Sequence, residues 1–380
     1  MRRHLHTAIA LFTLLLYGRC KDVYISPYKA PPTGYLVVEG YISGNSPTEF
    51  TLSRTVKLPG DSLPPPETGA MVQVEGNDNS IRPLPETIKG IYRDSFALNP
   101  QSQYRVRIQT KGGESYLSDF VPFKNTPPID SVSWTGGQNG VVIYVNSHDP
   151  ANATHYYQWN WDQTYEYHSG ANSVFEYVPS LDTVIARPDS NQIYRCWQSS
   201  SSTSILVGST TKLSQDVVSL YPLKRIPLND VQLSVLYTIL VRQSALTEGG
   251  YDFLSLMQKN TESLGTIFDA QPSLITGNIH SLTHPAEQVI GYVSAGTVQQ
   301  QRLWIYAYQA PGYYYYYCDI PDTLLPANSD LQKNFGSLYI PIYAKASGNI
   351  IGAYYSNYTD CLDCRFVGSG TNKKPSFWPN

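Results

Sequence analysis

The sequence predicts a mainly β protein of two antiparallel β-sandwich units, immunoglobulin- or fibronectin-like, the second carrying a helical insertion. Three observations carry that expectation. Charged residues are only 15% of the chain and Tyr outnumbers Phe 31 to 11, a balance suited to sheets with amphipathic aromatic faces. Short runs alternate apolar and polar residues, with Gly, Pro, Asn and Ser punctuating them closely. At 380 residues the chain is long enough for two domains of ordinary size.

The N-terminus reads as an address. Arg2, Arg3, His4 and His6 precede an apolar run from Thr7 to Tyr17, the layout of a secretory signal, so residues 1–19 are expected to be a signal peptide. The run is too short for a bilayer-spanning helix, which needs roughly 20 residues. Leu14, Leu15, Leu16 and Gly18 precede Cys20 much as a lipobox precedes the cysteine that becomes diacylated, with Arg19 where a small residue is usual. Cys20 is therefore the expected lipidation site and membrane anchor, and residues 20–34 the tether. Without residues 1–19 the chain keeps 24 basic against 30 acidic side chains, which gives no electrostatic reason for a nucleic-acid partner.

Residues 35–122 read as the first unit. Tyr35-Leu36-Val37-Val38-Glu39-Gly40-Tyr41-Ile42, Glu49-Phe50-Thr51-Leu52-Ser53-Arg54-Thr55, Met71-Val72-Gln73-Val74-Glu75 and Tyr104-Arg105-Val106-Arg107-Ile108-Gln109-Thr110 all carry strand-type alternation. Pro122, Pro127 and Pro128 interrupt it, and proline cannot donate to a ladder, so the junction is placed there. The second unit, 128–310, opens with a hairpin of Ile129-Asp130-Ser131-Val132-Ser133-Trp134 and Gly140-Val141-Val142-Ile143-Tyr144-Val145-Asn146. Alternation in the next strand sends Tyr157, Trp159 and Trp161 to one face, expected to be the core. A helix is expected over 247–263, with Thr247 as cap, Tyr251, Phe253, Leu254, Leu256 and Met257 on its apolar side and Gly265 ending it. Strands follow at 289–293 and 302–308, and residues 311–380 form a Tyr-rich, Cys-containing segment packed on the second unit.

Setting Cys20 aside leaves Cys196, Cys318, Cys361 and Cys364, an even number in an exported chain, where disulfides are the default. Three pairings are open, with at least one long-range bridge expected to tie the tail to the body. A redox or zinc reading of Cys361-Leu362-Asp363-Cys364 finds no helix N-terminus to lower a thiol pKa and no second ligand pair, since the flanks read as loop.

Other candidate chemistry is thin. His148, Asp149, His155, Glu166 and His168 are near neighbours in sequence without metal-ligand spacing, so no metal site is expected. His280 and His284 sit four apart, but Pro285 and Gly277 argue against a helix, and they read as solvated loop residues. No G-x-S-x-G elbow, P-loop or dinucleotide fingerprint is present; no catalytic residue, cofactor or enzymatic activity is expected. The run Tyr313 to Tyr317 is the most unusual stretch: on a strand Tyr313, Tyr315 and Tyr317 share one face, a candidate interface for a partner or a sugar ring.

Several strings resemble one family. They are Gly140-Val141-Val142-Ile143-Tyr144-Val145-Asn146 with Asp149-Pro150, Tyr194-Arg195-Cys196-Trp197, Ile267-Phe268-Asp269-Ala270-Gln271-Pro272, Gly277-Asn278-Ile279, Gly291-Tyr292-Val293-Ser294 and the stretch from Gly370 to Trp378. In these the chain is similar to the Bacteroidetes outer-membrane lipoproteins of domain-of-unknown-function family 4249. The resemblance implies a lipid-anchored protein on the periplasmic or cell-surface face of the outer membrane, partnered with a TonB-dependent transporter, and it carries over no site. The expected function is thus a non-enzymatic accessory of such a transporter, or alternatively a carbohydrate- or peptide-binding surface module.

Overall fold

Alternation in the sequence becomes alternation in burial. In the strand Gln103–Gln109, Tyr104, Val106 and Ile108 are buried, while Arg105 and Arg107 between them reach outward to Glu75. The computed structural model describes residues 34–56, 63–262, 277–312, 314 and 323–379. The leader, Cys20 and the tether up to residue 33 lie outside the described residues, as do Tyr313, Tyr315, Tyr317 and Cys318. The fold is mainly β, in several sheets.

Hydrogen bonding runs unbroken through eleven strands, among them Leu36–Ser43, Thr48–Arg54, Met71–Gly76 and Gln103–Gln109, that curl almost into a barrel around one core. That core contains Leu36, Phe50, Leu52, Tyr92, Tyr104 and Tyr116, and also Ile279, Val289 and Val293 from far along the chain. The reason is the strand Ala295–Gly296, which pairs in parallel with both Leu36–Ser43 and Val121–Lys124. A parallel pair needs a crossover rather than a tight turn, and here the crossover is the second unit itself. The first core therefore draws on residues beyond 35–122. Pro122, placed at the junction on sequence grounds, sits within the strand Val121–Lys124; the break comes after Lys124.

In the second unit, Ile129–Gly137 and Gly140–His148 form the expected hairpin, with Gly137 opposite Gly140 across a two-residue turn. Gly140 has φ +96°, and a Cβ there would meet the Ile226 carbonyl oxygen at 2.1 Å, so only glycine fits. The hairpin pairs with Val217–Ile226, and a second sheet orders Arg195–Ser201, Tyr156–His168, Leu236–Ala245 and Val298–Tyr306. Val141, Ile143 and Val145 from the first sheet share one buried cluster with Tyr157, Trp159, Tyr237, Ile239 and Val241 from the second. Trp159 stacks on Tyr221 with ring centroids 4.2 Å apart, and Trp161 packs at the cluster's edge.

The helix spans Glu248–Glu262, and the Thr247 hydroxyl accepts from the Gly250 amide at 3.2 Å, the expected cap. Strand Val298–Tyr306 begins earlier than its expected start at 302, whereas 289–293 forms no strand and touches Val37 through an isolated bridge at Ile290. A separate sheet of Thr323–Pro326, Ile350–Tyr358 and Tyr339–Ser347 makes up the C-terminal segment.

Cys196 is bonded to Cys364, 168 residues away, so the tail is stapled to the second unit's core; Cys361 is disulfide-bonded as well. The flanks of these cysteines are not loop: short helices cover Thr359–Leu362 and Cys364–Val367, and the Asp363 side chain caps the second by accepting from the Arg365 amide.

The linker after Lys124 meets the second unit at a polar hub. Gln243 is fully buried; its amide donates to the Pro127 carbonyl and the Ser147 hydroxyl, both at 2.9 Å, and its carbonyl accepts from the Trp159 indole at 2.8 Å. Beside it the Thr126 hydroxyl accepts from the Ala245 amide at 2.9 Å, and Thr126 N donates to the Thr297 hydroxyl at 2.8 Å. Gln243→Ala leaves two buried polar groups, the Pro127 carbonyl and the Trp159 indole, unmatched and is expected to lower unfolding free energy by about 3 kcal/mol, read as a shifted urea midpoint.

Candidate functional site

A cleft of about 420 Å³ opens where the units meet. One wall is the first unit's strand Leu36–Ser43 with residues 290–294 alongside; the other comprises Gln158, Asn160 and residues 202–205 of the second unit, with Phe253, Leu254 and Met257 of the helix. The first wall is held by Val38 N donating to the Ile290 carbonyl at 2.8 Å and Ile42 N donating to the Ser294 carbonyl at 2.9 Å. Gly291 makes that approach possible: its φ is +157°, and a Cβ would lie 2.3 Å from the Val38 carbonyl oxygen. Across the cleft Tyr41 donates to the Ala245 carbonyl at 3.2 Å. Since the Gln243 and Thr126 contacts lie next to this seam, the cleft is preformed rather than assembled on closure.

The lining mixes chemistry. The helix contributes apolar side chains, whereas Gln158, Asn160, Ser202, Thr203 and Ser204 offer amides and hydroxyls. That pairing of an apolar wall with a few polar groups suits binding and orientation.

The residues singled out on sequence grounds are not brought together. His148 pairs with Asp130 at 2.8 Å, and the Asp149 carboxylate accepts from the amides of Ala151, Ala153 and Thr154. The His155 ring meets Thr210. His280 lies on the strand Ile279–Ser281 rather than in a loop and faces Asp119 at 3.2 Å; the His284 amide donates to Ser281. Among the described residues no group of three or more His, Cys, Asp or Glu is placed to hold a metal ion.

Glu166 and His168 do meet, for a structural purpose. Glu166 is only 4% exposed and accepts from His168 at 2.9 Å, Arg195 at 2.7 Å and the Trp378 indole at 2.9 Å. Burial raises its pKa, but the hydrogen bonds from His168 and Arg195, the Arg195 charge and the Trp378 indole outweigh it and hold the carboxyl at about 2. The C-terminus is thus pinned to the second unit's outer sheet face, where Trp378 packs with Trp197 and Leu236. Lys224 is another group the sequence did not flag. Burial, only partly opposed by Asp230, lowers its amine to about 8; it lies 4.5 Å from the Trp161 ring centroid and donates to Gln232 at 2.9 Å.

Residues 23–302 match the family described as Domain of unknown function (DUF4249). The chain belongs to that family. No curated protein matches it. The DUF4249 match takes in both walls of the cleft and the Gln243 hub, and it ends before the C-terminal sheet.

Because the Glu166 pKa is depressed on folding, its contribution is complete above the ordinary glutamate value and is lost as pH falls toward about 2. Glu166→Gln is expected to melt below the wild type at pH 7 and to lose less stability than the wild type between pH 5 and pH 2.5, as read by thermal melts across that range.

Proposed function

We propose that this protein is a non-enzymatic, lipid-anchored envelope protein that captures a ligand in the cleft between its two β units. The preformed cleft carries this reading. Its volume falls within the few hundred to about a thousand Å³ usual for small-molecule sites, and its lining combines hydrogen-bonding groups with an apolar wall. The second unit is read as a β-sandwich of immunoglobulin or fibronectin type, since its two sheets share one core. The histidines among the described residues are dispersed, which favours binding over catalysis.

The anchor reading rests on residues 1–20: a basic start, a short apolar run and Cys20. Extraction of the Cys20→Ser protein is expected to move it from the membrane fraction to the soluble fraction, as followed by immunoblot.

A second reading, an accessory docked on an outer-membrane TonB-dependent transporter, is favoured by one observation. The C-terminal sheet leaves Leu324, Tyr343, Ile350 and Ile351 exposed, an apolar surface available to a partner. A mild-detergent pull-down of the tagged protein separates the readings. Recovery of one transporter in comparable amount supports docking, and its loss on Ile350→Asp places the contact on this sheet. For the capture reading, Asn160→Trp fills the cleft from an exposed position and is expected to abolish ligand binding while leaving the melting temperature within about 2 °C.

A further inference from the structure

The outer face of the second unit's larger sheet carries a trough whose lining follows that of the cleft along the chain. Residues 199–201 line the trough and residues 202–204 line the cleft, so one hydroxyl-rich run serves both. The register shows how the trough is built. Ser201 stands opposite Asp162, Asp162 opposite Leu240 and Leu240 opposite Arg302, so the serine bank and the arginine bank are three strand spacings, or about 14 Å, apart. The trough holds about 330 Å³, with Phe377 beside Arg302 on its far bank.

Arg302 distinguishes this place. Its guanidinium lies 4.4 Å from the Phe377 ring centroid and 5.8 Å from that of Trp304, and among the described residues no carboxylate lies within ion-pair distance of it. Asp162, the carboxylate in the floor, is engaged by Arg242 and by the Ser201 hydroxyl. Two arginines against one aspartate leave a positive excess, on a chain whose net charge is −3. Phe377 is 47% exposed, and its neighbour Trp378 is fixed by Glu166, so a pinned chain end presents an aromatic ring toward the groove.

We propose that this trough is a subsite for a carboxylate-bearing oligosaccharide, a chain of uronic-acid type, with Arg302 meeting a sugar carboxylate, Phe377 stacking on a ring face and the serine bank bonding its hydroxyls. The proposal deepens the ligand-capture reading and rests on it. A planar guanidinium backed by aromatic rings suits a carboxylate. A surface of small hydroxyl side chains, Thr164 in the floor with Ser199 and Ser201 on the bank, suits a polyhydroxylated chain better than an extended peptide, which would seek an unpaired strand edge.

The test is calorimetric titration of the full-length, detergent-solubilised protein with a hexameric uronate, with the same hexamer after reduction of its carboxyls to alcohols, and with hexaglutamate. The uronate is expected to bind at least about tenfold more tightly than the reduced hexamer. Arg302→Gln is expected to bring the uronate down to the affinity of the reduced hexamer, and Phe377→Ala to weaken both sugars while keeping the preference between them. Equal binding of the two hexamers, blocked by Asn160→Trp, overturns the acidic subsite and leaves the capture reading standing. Tighter binding of hexaglutamate than of the uronate overturns the carbohydrate assignment. Failure of the wild type to bind either hexamer overturns the proposal.

Discussion

The structure turns on one buried amide. Gln243 sits on the core-facing side of the strand Leu236–Ala245, where its neighbours Val241 and Ala245 are buried, and it satisfies groups from three different segments. A buried polar side chain is costly unless every group finds a partner, and when fully satisfied it fixes one arrangement over its alternatives. Here the arrangement fixed is the linker after Lys124 against the second unit. The short parallel strand Ala295–Gly296 acts in the same direction, because the chain must leave the first unit, build most of the second and return to complete the first sheet. Neither unit's boundary is a single crossing of the chain, and a rigid seam with a preformed cleft follows.

The two surfaces proposed for ligand binding lie beside this seam. The cleft lies along the seam, and the trough lies on the outer face of the sheet that contains Gln243. The C-terminal tail closes the far end. Its disulfide from Cys364 to Cys196 and the Trp378 indole on Glu166 are independent fastenings, one covalent and one charge-assisted, and they hold the tail on the same sheet.

Much of the fold was legible because each long strand buries one face, and a period of two survives in the sequence wherever that is so. The runs at 36–43, 103–109 and 140–148 were visible for that reason, and the helix at 248–262 by its apolar side at helical spacing after the Thr247 cap. Ala295–Gly296 was not, since two residues carry no period, and Val289 and Val293 gave their neighbourhood to the wrong unit. Closure of the first sheet through a distant segment was invisible for the same cause. The cysteine pairing was open among three choices until the chain's path brought Cys196 within 5.7 Å of Cys364, Cα to Cα. Less of the site was legible. Arg302 is one of many arginines until the path of the C-terminal tail sets Phe377 beside it, and of the histidines noticed with their acidic neighbours by sequence proximity only His168 is brought into contact with one of them, Glu166. Gln243 did leave a signal: a glutamine in phase with Val241 and Ala245 breaks the apolar side of its strand, and such a break marks a buried polar junction.

The central claim is that the two units form one body whose seam is set by the Gln243 and Thr126 contacts. Native-state hydrogen exchange of the wild-type protein across a series of low urea concentrations, resolved by peptide, tests it most directly. The account predicts that Leu36–Ser43 and Leu236–Ala245 open with the same free energy and the same urea dependence, as parts of one cooperative unit. Opening of the first strand at clearly lower free energy, with a shallower urea dependence, would contradict it.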